Sequence, residues 1–313
     1  MKTLLTAALA VVLSVSAVLA DWMPPGPVKV LIGFRAGGGA DTLARLISED
    51  VADSYGWTMI PENVTGAGGA VMARELKAAA ADGLTIGIGV TDTFAYGVLA
   101  VQKPGYGPED FDILATIAGT QMGIVARADR GWKTMSDVIA AAKAGEDISF
   151  GSMTPRLADG AYYIGKVNGV EFNIVTGFRG GRAVLNAIIA SDVDIGWVAG
   201  PQAAGVRSGD LINLANAEAR PLKVSPEAQP LADIGVDVHF GATFLALAPA
   251  GLPEETRAAL SGAISAVIQK DGSKSNAFIN KVLALKVVTG DAADAFVAAE
   301  MAGAKALLAA TAD

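Results

Sequence analysis

An α/β fold of two lobes is what this sequence predicts, on three observations. Short apolar strand-like runs alternate with Ala-rich helical patterns from end to end, the alternation restarts near mid-chain, and glycine turns recur where strands hand over to helices. Val28 to Ile32 reads as a buried strand, and Thr42 to Val51, with Leu43, Leu46, Ile47 and Val51 on one face, as the helix that follows it. A helix around Ala70 to Ala81 then leads to a strand at Leu84 to Val90. Ile113 to Ala126 is a long extended segment that suits a crossing into a second lobe. There the pattern resumes with a helix at Ser136 to Lys143 and strands at Ile148 to Gly151, Phe172 to Val175, Val193 to Val198 and Leu211 to Ala215. Helices at about Tyr162 to Val167 and Arg182 to Ala190 lie between them. Thr243 to Ala248 fits a return crossing, after which two helices, Glu254 to Ile268 and Ala292 to Ala309, close the chain. Two crossings make a hinge rather than a flexible tether.

The first 20 residues have the build of a cleaved export signal: Lys2, an apolar core from Leu4 to Val18, and a small-residue cleavage site at Val18-Leu19-Ala20. The apolar run is short for a membrane span, which needs roughly 20 apolar residues, and every later apolar stretch is interrupted by charge, Pro or Gly. A periplasmic location follows as the expectation, with a mature chain from Asp21 long enough for two lobes, since domains are typically ~100–150 residues. The division expected is 1–20 signal peptide, 21–120 with 236–313 as the first lobe, and 121–235 as the second.

Composition excludes several kinds of chemistry. With no cysteine and one histidine, disulfides, thiolate metal sites and cysteine nucleophiles are out, and little remains for a histidine triad, so no metal or cofactor is expected. The net charge of −8, one unit more negative once Lys2 is removed, argues against nucleic acid and anionic membrane surfaces. It does not forbid an anionic ligand, which oriented N–H groups and a few arginines can hold locally. A hydrolase reading finds no Gly-x-Ser-x-Gly elbow and no base beside Ser152.

The most informative stretch is Gly33-Phe34-Arg35-Ala36-Gly37-Gly38-Gly39-Ala40-Asp41, between the first strand and the first helix. Glycines there let backbone N–H groups approach an anion at a helix N-terminus, and Asp41 is the natural N-cap. Neither a P-loop nor a dinucleotide fingerprint is present, and a glycine turn that binds nothing is the plain alternative. Thr65-Gly66-Ala67-Gly68-Gly69, Gly151-Ser152-Met153-Thr154 and Gly177-Phe178-Arg179-Gly180-Gly181 repeat the design, which suggests helix N-termini facing a common cleft. Arg35 is the sharpest side-chain candidate, since a guanidinium can grip a carboxylate with two parallel bonds; a solvated arginine is the alternative, and Arg179 reads as solvent-facing or partner-facing. Asp92 suits a helix cap or a ligand hydroxyl or ammonium, Trp197 wall or core, and His239 a structural place.

The ordered set Gly37-Gly38-Gly39-x-Asp41, Glu62-Asn63-x-x-Gly66-Ala67-Gly68-Gly69, Asp82-Gly83-x-Thr85, Asp110-Phe111, Phe150-Gly151-Ser152 and Gly251-Leu252-Pro253 resembles the Bug-type receptors of tripartite tricarboxylate transporters over essentially the whole mature chain. The resemblance implies a type II periplasmic-binding-protein fold, two Rossmann-like lobes joined by two crossing strands, with no enzymatic activity. It implies a monomer that captures a small carboxylate and delivers it to a large and a small integral membrane subunit; ligand sensing for a two-component system is the other use of such a clamp. Carried over by position, the first-lobe grip is Phe34, Arg35, Ala36, Gly37, Gly38, Gly39 and Asp41, with Thr91, Asp92 and Thr93. The second-lobe grip is Ser152, Met153 and Thr154, then Gly177, Phe178, Arg179 and Gly180, with Trp197, Ala199 and Gly200 near the cleft wall. The family's usual proline before the first glycines is Ala36 here, its Tyr-Lys-Gly is Phe178-Arg179-Gly180, Met153-Thr154-Pro155 replaces a small glycine turn, and an aromatic near the return crossing is missing at Ala242-Thr243. The extra charge of Arg35 favours a di- or tricarboxylate.

Overall fold

A computed structural model describes residues 22–312; the expected export signal lies outside the described residues. The chain builds β1 (Val28–Ile32), α1 (Gly39–Tyr55), β2 (Met59–Asn63), α2 (Ala70–Lys77), β3 (Thr85–Val90), the one-turn helices α3 (Thr91–Phe94) and α4 (Tyr96–Leu99), and β4 (Phe111–Gly119). It then crosses to β5 (Met122–Arg127), α5 (Met135–Lys143), β6 (Ser149–Gly151), α6 (Pro155–Asn168), β7 (Asn173–Val175), α7 (Gly181–Ala190), β8 (Ile195–Ala199), α8 (Ala203–Ser208), β9 (Leu211–Asn216) and β10 (Gln229–Pro230). It returns through β11 (Thr243–Pro249) and ends with α9 (Glu254–Gln269), α10 (Lys274–Val282), β12 (Ala284–Leu285) and α11 (Asp291–Thr311).

These strands form two six-stranded sheets, ordered β12-β4-β11-β3-β1-β2 and β10-β9-β5-β8-β6-β7. In the first, β1 pairs parallel with β2 and β3, and β11 runs antiparallel between β3 and β4. In the second, β8 and β7 pair parallel with β6, and β5 runs antiparallel between β8 and β9. Each lobe therefore receives its antiparallel inner strand from the chain as it arrives from the other lobe.

The extended segment expected over 113–126 is divided between the two sheets, with the break at Thr120 and Gln121, both buried. The crossings are stitched side by side. The Thr120 N–H donates to the Ala242 carbonyl at 2.9 Å, the Ala242 N–H donates back to Thr120 Oγ1 at 2.9 Å, and Ala217 N donates to Met122 O at 3.1 Å. The Glu218 carboxylate accepts from Thr120 Oγ1 at 2.8 Å and Met122 N at 2.7 Å. Burial pushes its pKa up to about 7.

Burial follows the helical period. α1 sends Leu43, Ala44, Ile47 and Val51 against β1 and β3, with α9 and α10 on the same face of the sheet. The opposite face packs α2 over an aromatic cluster in which Phe94 and Phe111 meet edge to face, 5.1 Å apart. In the second lobe Trp197 lies between Phe150 and Phe240, at 5.3 and 4.9 Å. α6 begins seven residues before its expected start: Pro155 occupies its first turn, Thr154 caps it, and Gly160 stands where a Cβ would come within 2.3 Å of the Phe240 ring. α10 and β12 were not anticipated. Asp50 on α1 accepts the N–H groups of Lys274 and Ser275 and so starts α10, and the Lys223 ammonium donates to the Asn280 and Leu283 carbonyls where it ends. α11 serves both lobes, since Ala293 and Val297 pack in the first-lobe aromatic cluster and Ala304 and Leu307 in the second-lobe core. Among the described residues no helix is long and apolar enough to cross a membrane.

Candidate ligand-binding site

The turn after β1 is built by a network that begins one helical turn further on. Gly38 caps α1 without a side chain, so the expectation that Asp41 is the N-cap is corrected: the helix starts three residues earlier than expected, and Asp41 lies in its first turn. From there its carboxylate accepts the Gly37 N–H, the Asn63 amide and the Arg45 Nε–H, each at 2.9 Å. Asn63 also donates to the Phe34 carbonyl at 2.9 Å and accepts from Arg45 Nη2 at 3.0 Å. Burial alone would raise the Asp41 carboxyl, but these donors hold it below the ordinary carboxylate range. Asp41 is buried and its oxygens are taken, so it shapes the loop. The loop itself is open: Arg35, Ala36, Gly37 and Gly39 are exposed, Phe34 and Gly38 half-buried, and the first N–H groups of α1 have no intrahelical acceptor.

The hydroxyls after β3 are spent inside the protein. Thr91 Oγ1 accepts the Thr243 N–H at 3.1 Å and Thr93 Oγ1 donates to the Gly68 carbonyl at 2.7 Å. Both threonines are buried. Asp92 caps nothing with its side chain; the helix cap is Val90, and the Asp92 carboxylate receives Arg156 Nη1 at 2.8 Å. Burial raises the Asp92 carboxyl, with Arg156 pulling the other way.

In the second lobe Ser152 is fully buried, its N–H given to the Val175 carbonyl at 2.8 Å, and Thr154 accepts the Leu157 N–H at 3.3 Å as the α6 cap. Met153 is half-buried against both second-lobe clusters. The turn after β7 is the exposed counterpart of the Gly37 loop. Gly177 and Arg179 are exposed, Phe178 packs against the Val184 and Leu185 cluster, and Gly180 caps α7 with φ of 107°. Among the described residues Arg35, Arg179 and Arg182 have no side-chain hydrogen bond or ion pair. Ala199 is half-buried, and Gly200 is buried with its N–H on Gln202 Oε1 at 2.7 Å.

Trp197 is corrected from cleft wall to core: it is fully buried, and its Nε1–H donates to the Leu157 carbonyl at 2.8 Å. The structure thus places the glycine turns at strand ends and withdraws the Ser152, Thr91, Thr93 and Trp197 side chains into the fold. Sequence reasoning missed Arg156 and Tyr96, whose partners lie 64 and 63 residues away in the chain, beyond any local pattern, and Arg45, which pairs with Asp41 one helical turn back as well as with Asn63. Asn63 was visible only as part of a motif. His239 is exposed, and it is its carbonyl that matters, accepting Arg156 Nη2 at 2.6 Å. Among the described residues no group of three or more His, Cys, Asp or Glu could hold a metal ion.

The chain was compared with known proteins. The family model described as "Tripartite tricarboxylate transporter family receptor" matches residues 43–309. A UPF0065 protein from the gbd 5′ region of Cupriavidus necator is 28% identical over 251 residues, 79% of this chain and 76% of that protein. A solved R. palustris protein with adipate superposes with a TM-score of 0.80 at 22% identity, over 93% of this chain and 98% of its own. MatC from Rhodopseudomonas palustris with bound malate gives 0.75 at 23% identity, over 91% and 100%.

Proposed function

The chain belongs to the tripartite tricarboxylate transporter receptor family, a family of binding proteins rather than enzymes, and from that premise we propose that it captures a small dicarboxylate or tricarboxylate between its lobes. The observation that carries this reading is the pinned loop of residues 33–41, where open backbone N–H groups at the start of α1 stand beside an arginine with no partner among the described residues. In a chain of net charge −8, such a place offers an anion what the rest of the surface withholds. The bound malate and adipate of the two R. palustris proteins support a dicarboxylate. One carboxylate would meet the backbone of Phe34 to Gly39, and the other would meet the loop of Gly177 to Gly180. Asp41 positions the first loop. Charge-assisted hydrogen bonds contribute roughly 1.5–3 kcal/mol each, and micromolar binding needs about 8 kcal/mol, so four or five are enough after desolvation.

The lobes in this reading are 21–120 with 236–313, and 121–235, with Phe240 and the end of α11 packing on the second. The same reading makes the protein a periplasmic monomer, exported by a cleaved signal, that hands its ligand to a large and a small integral membrane subunit. A thermal-shift screen of residues 21–313 against C3 to C6 di- and tricarboxylates, amino acids and aromatic acids tests it. An acid at 100 times its dissociation constant adds about 2.7 kcal/mol of stability. A response confined to di- or tricarboxylates is expected; a response confined to amino acids or uncharged solutes, or none, overturns the carboxylate assignment.

A further inference from the structure

Two polar contacts tie α3 and α4 of the first lobe to α6 of the second. Arg156 is 6% exposed and donates Nη1 to Asp92 Oδ1 at 2.8 Å and to the Phe240 carbonyl at 3.3 Å, and Nη2 to the His239 carbonyl at 2.6 Å. Its guanidinium carbon lies 5.7 Å from the centroid of the Phe240 ring. One turn further along α6, Asp159 accepts the Tyr96 hydroxyl at 2.5 Å. Ala95 and Tyr96 bury themselves in the second-lobe core although their helices follow a first-lobe strand, and α11 packs across α3, α4 and α6 together, bringing Glu300 to bear on both Asp92 and Arg156.

His239 and Phe240 directly precede the return crossing, so the Asp92–Arg156 pair sits against the hinge. A buried ion pair whose members belong to different lobes has two stable arrangements: engaged in one relative placement, or separated and hydrated. Intermediate separations leave a buried charge without a partner. We propose that Asp92–Arg156 and Tyr96–Asp159 form a latch that holds the lobes closed before ligand arrives, so that the two glycine turns face each other in the empty protein. These four are positioning residues. The effect on affinity rests on the receptor reading above, whereas the closed state of the empty protein does not.

The chain has no cysteine, so Ala52→Cys on α1 and Asn186→Cys on α7, both exposed, give a clean pair for spin labels, one in each lobe. Distances between them are measured with and without malate or adipate, in the otherwise unchanged protein and with Asp92→Asn plus Tyr96→Phe. The latch predicts one narrow distance in the empty protein, unchanged by ligand, and a longer and broader distribution in the double variant, with dicarboxylate affinity at least tenfold weaker. Tyr96→Phe alone, which deletes one hydroxyl, gives an intermediate broadening and guards against a double variant that fails to fold. An empty protein whose distance shortens on adding ligand, or variants that keep the narrow distance, overturn the latch. If neither acid binds the unmodified protein, the receptor reading suffers, and the ligand-free distances still decide for or against the latch.

Discussion

The turns after β1 and after β7 share a sequence design and are held in opposite ways. Five side-chain hydrogen bonds among Asp41, Asn63 and Arg45 and the backbone fix the first. Among the described residues no side-chain hydrogen bond reaches residues 176–180, where Phe178 alone anchors the turn by packing. A loop fixed before binding loses little entropy when a ligand arrives, whereas a loop held by one apolar contact can follow the ligand's shape. In the proposed site the first lobe's loop is thus pinned and the second lobe's compliant.

The sharpest way to break this comparison is Asp41→Ala. It strands the Gly37 N–H, the Asn63 amide and the Arg45 guanidinium, and is expected to cost about 2–3 kcal/mol in urea unfolding and to abolish the dicarboxylate thermal shift. Between the two lobes, Glu218 gives the next largest effect. Its carboxyl is raised to about 7 in the folded protein against an ordinary 4.5, so its contribution to stability is complete below the ordinary value and is lost as pH rises through 7. Unfolding at pH 5 and pH 8 should differ by about 2 kcal/mol from this group, and Glu218→Gln, which keeps an acceptor for Thr120 and Met122 without the charge, should flatten that difference.

On the compliant side effects shrink. Gly180→Ala forces a side chain into a positive-φ backbone with open space around it, and a loss of about 1 kcal/mol in thermal unfolding is expected. Arg179→Ala should change stability by less than about 0.5 kcal/mol. Calorimetric titration sharpens the comparison further: Arg35→Ala should weaken a dicarboxylate more than a matched monocarboxylate, and equal losses would return Arg35 to the solvent.

What the sequence made legible follows the range of the interactions involved. β1, β3 and β11 are buried β-rich runs and announce themselves. β2 does not, because as an edge strand with Pro61 it is only half-buried along its length. Pro155 and Gly160 hid the first half of α6, since their reasons lie in a helix start and in an aromatic ring 80 residues away. The glycine turns were visible as turns. Capping logic, which is local, made Asp41 the cap that Gly38 is, three residues earlier; Asp41's partner Asn63 comes from the neighbouring strand. Asp92 suffered the same way, because its partner Arg156 lies in the other lobe.

The place of β11 has a consequence for how the protein comes into being. In the first sheet β4 touches β1, β2 and β3 only through β11, so Val90 waits for Phe244 before the two halves of that sheet can join. The second sheet draws every strand from 122–230. A chain that appears from its N-terminus can therefore pair every strand of the second sheet while the first is still open, although Phe240 and the end of α11 join the second-lobe core only later, and long-range pairing of this kind is slow to close. The sheet that is begun first is the last to have all its strands, and β11 and β12 complete it.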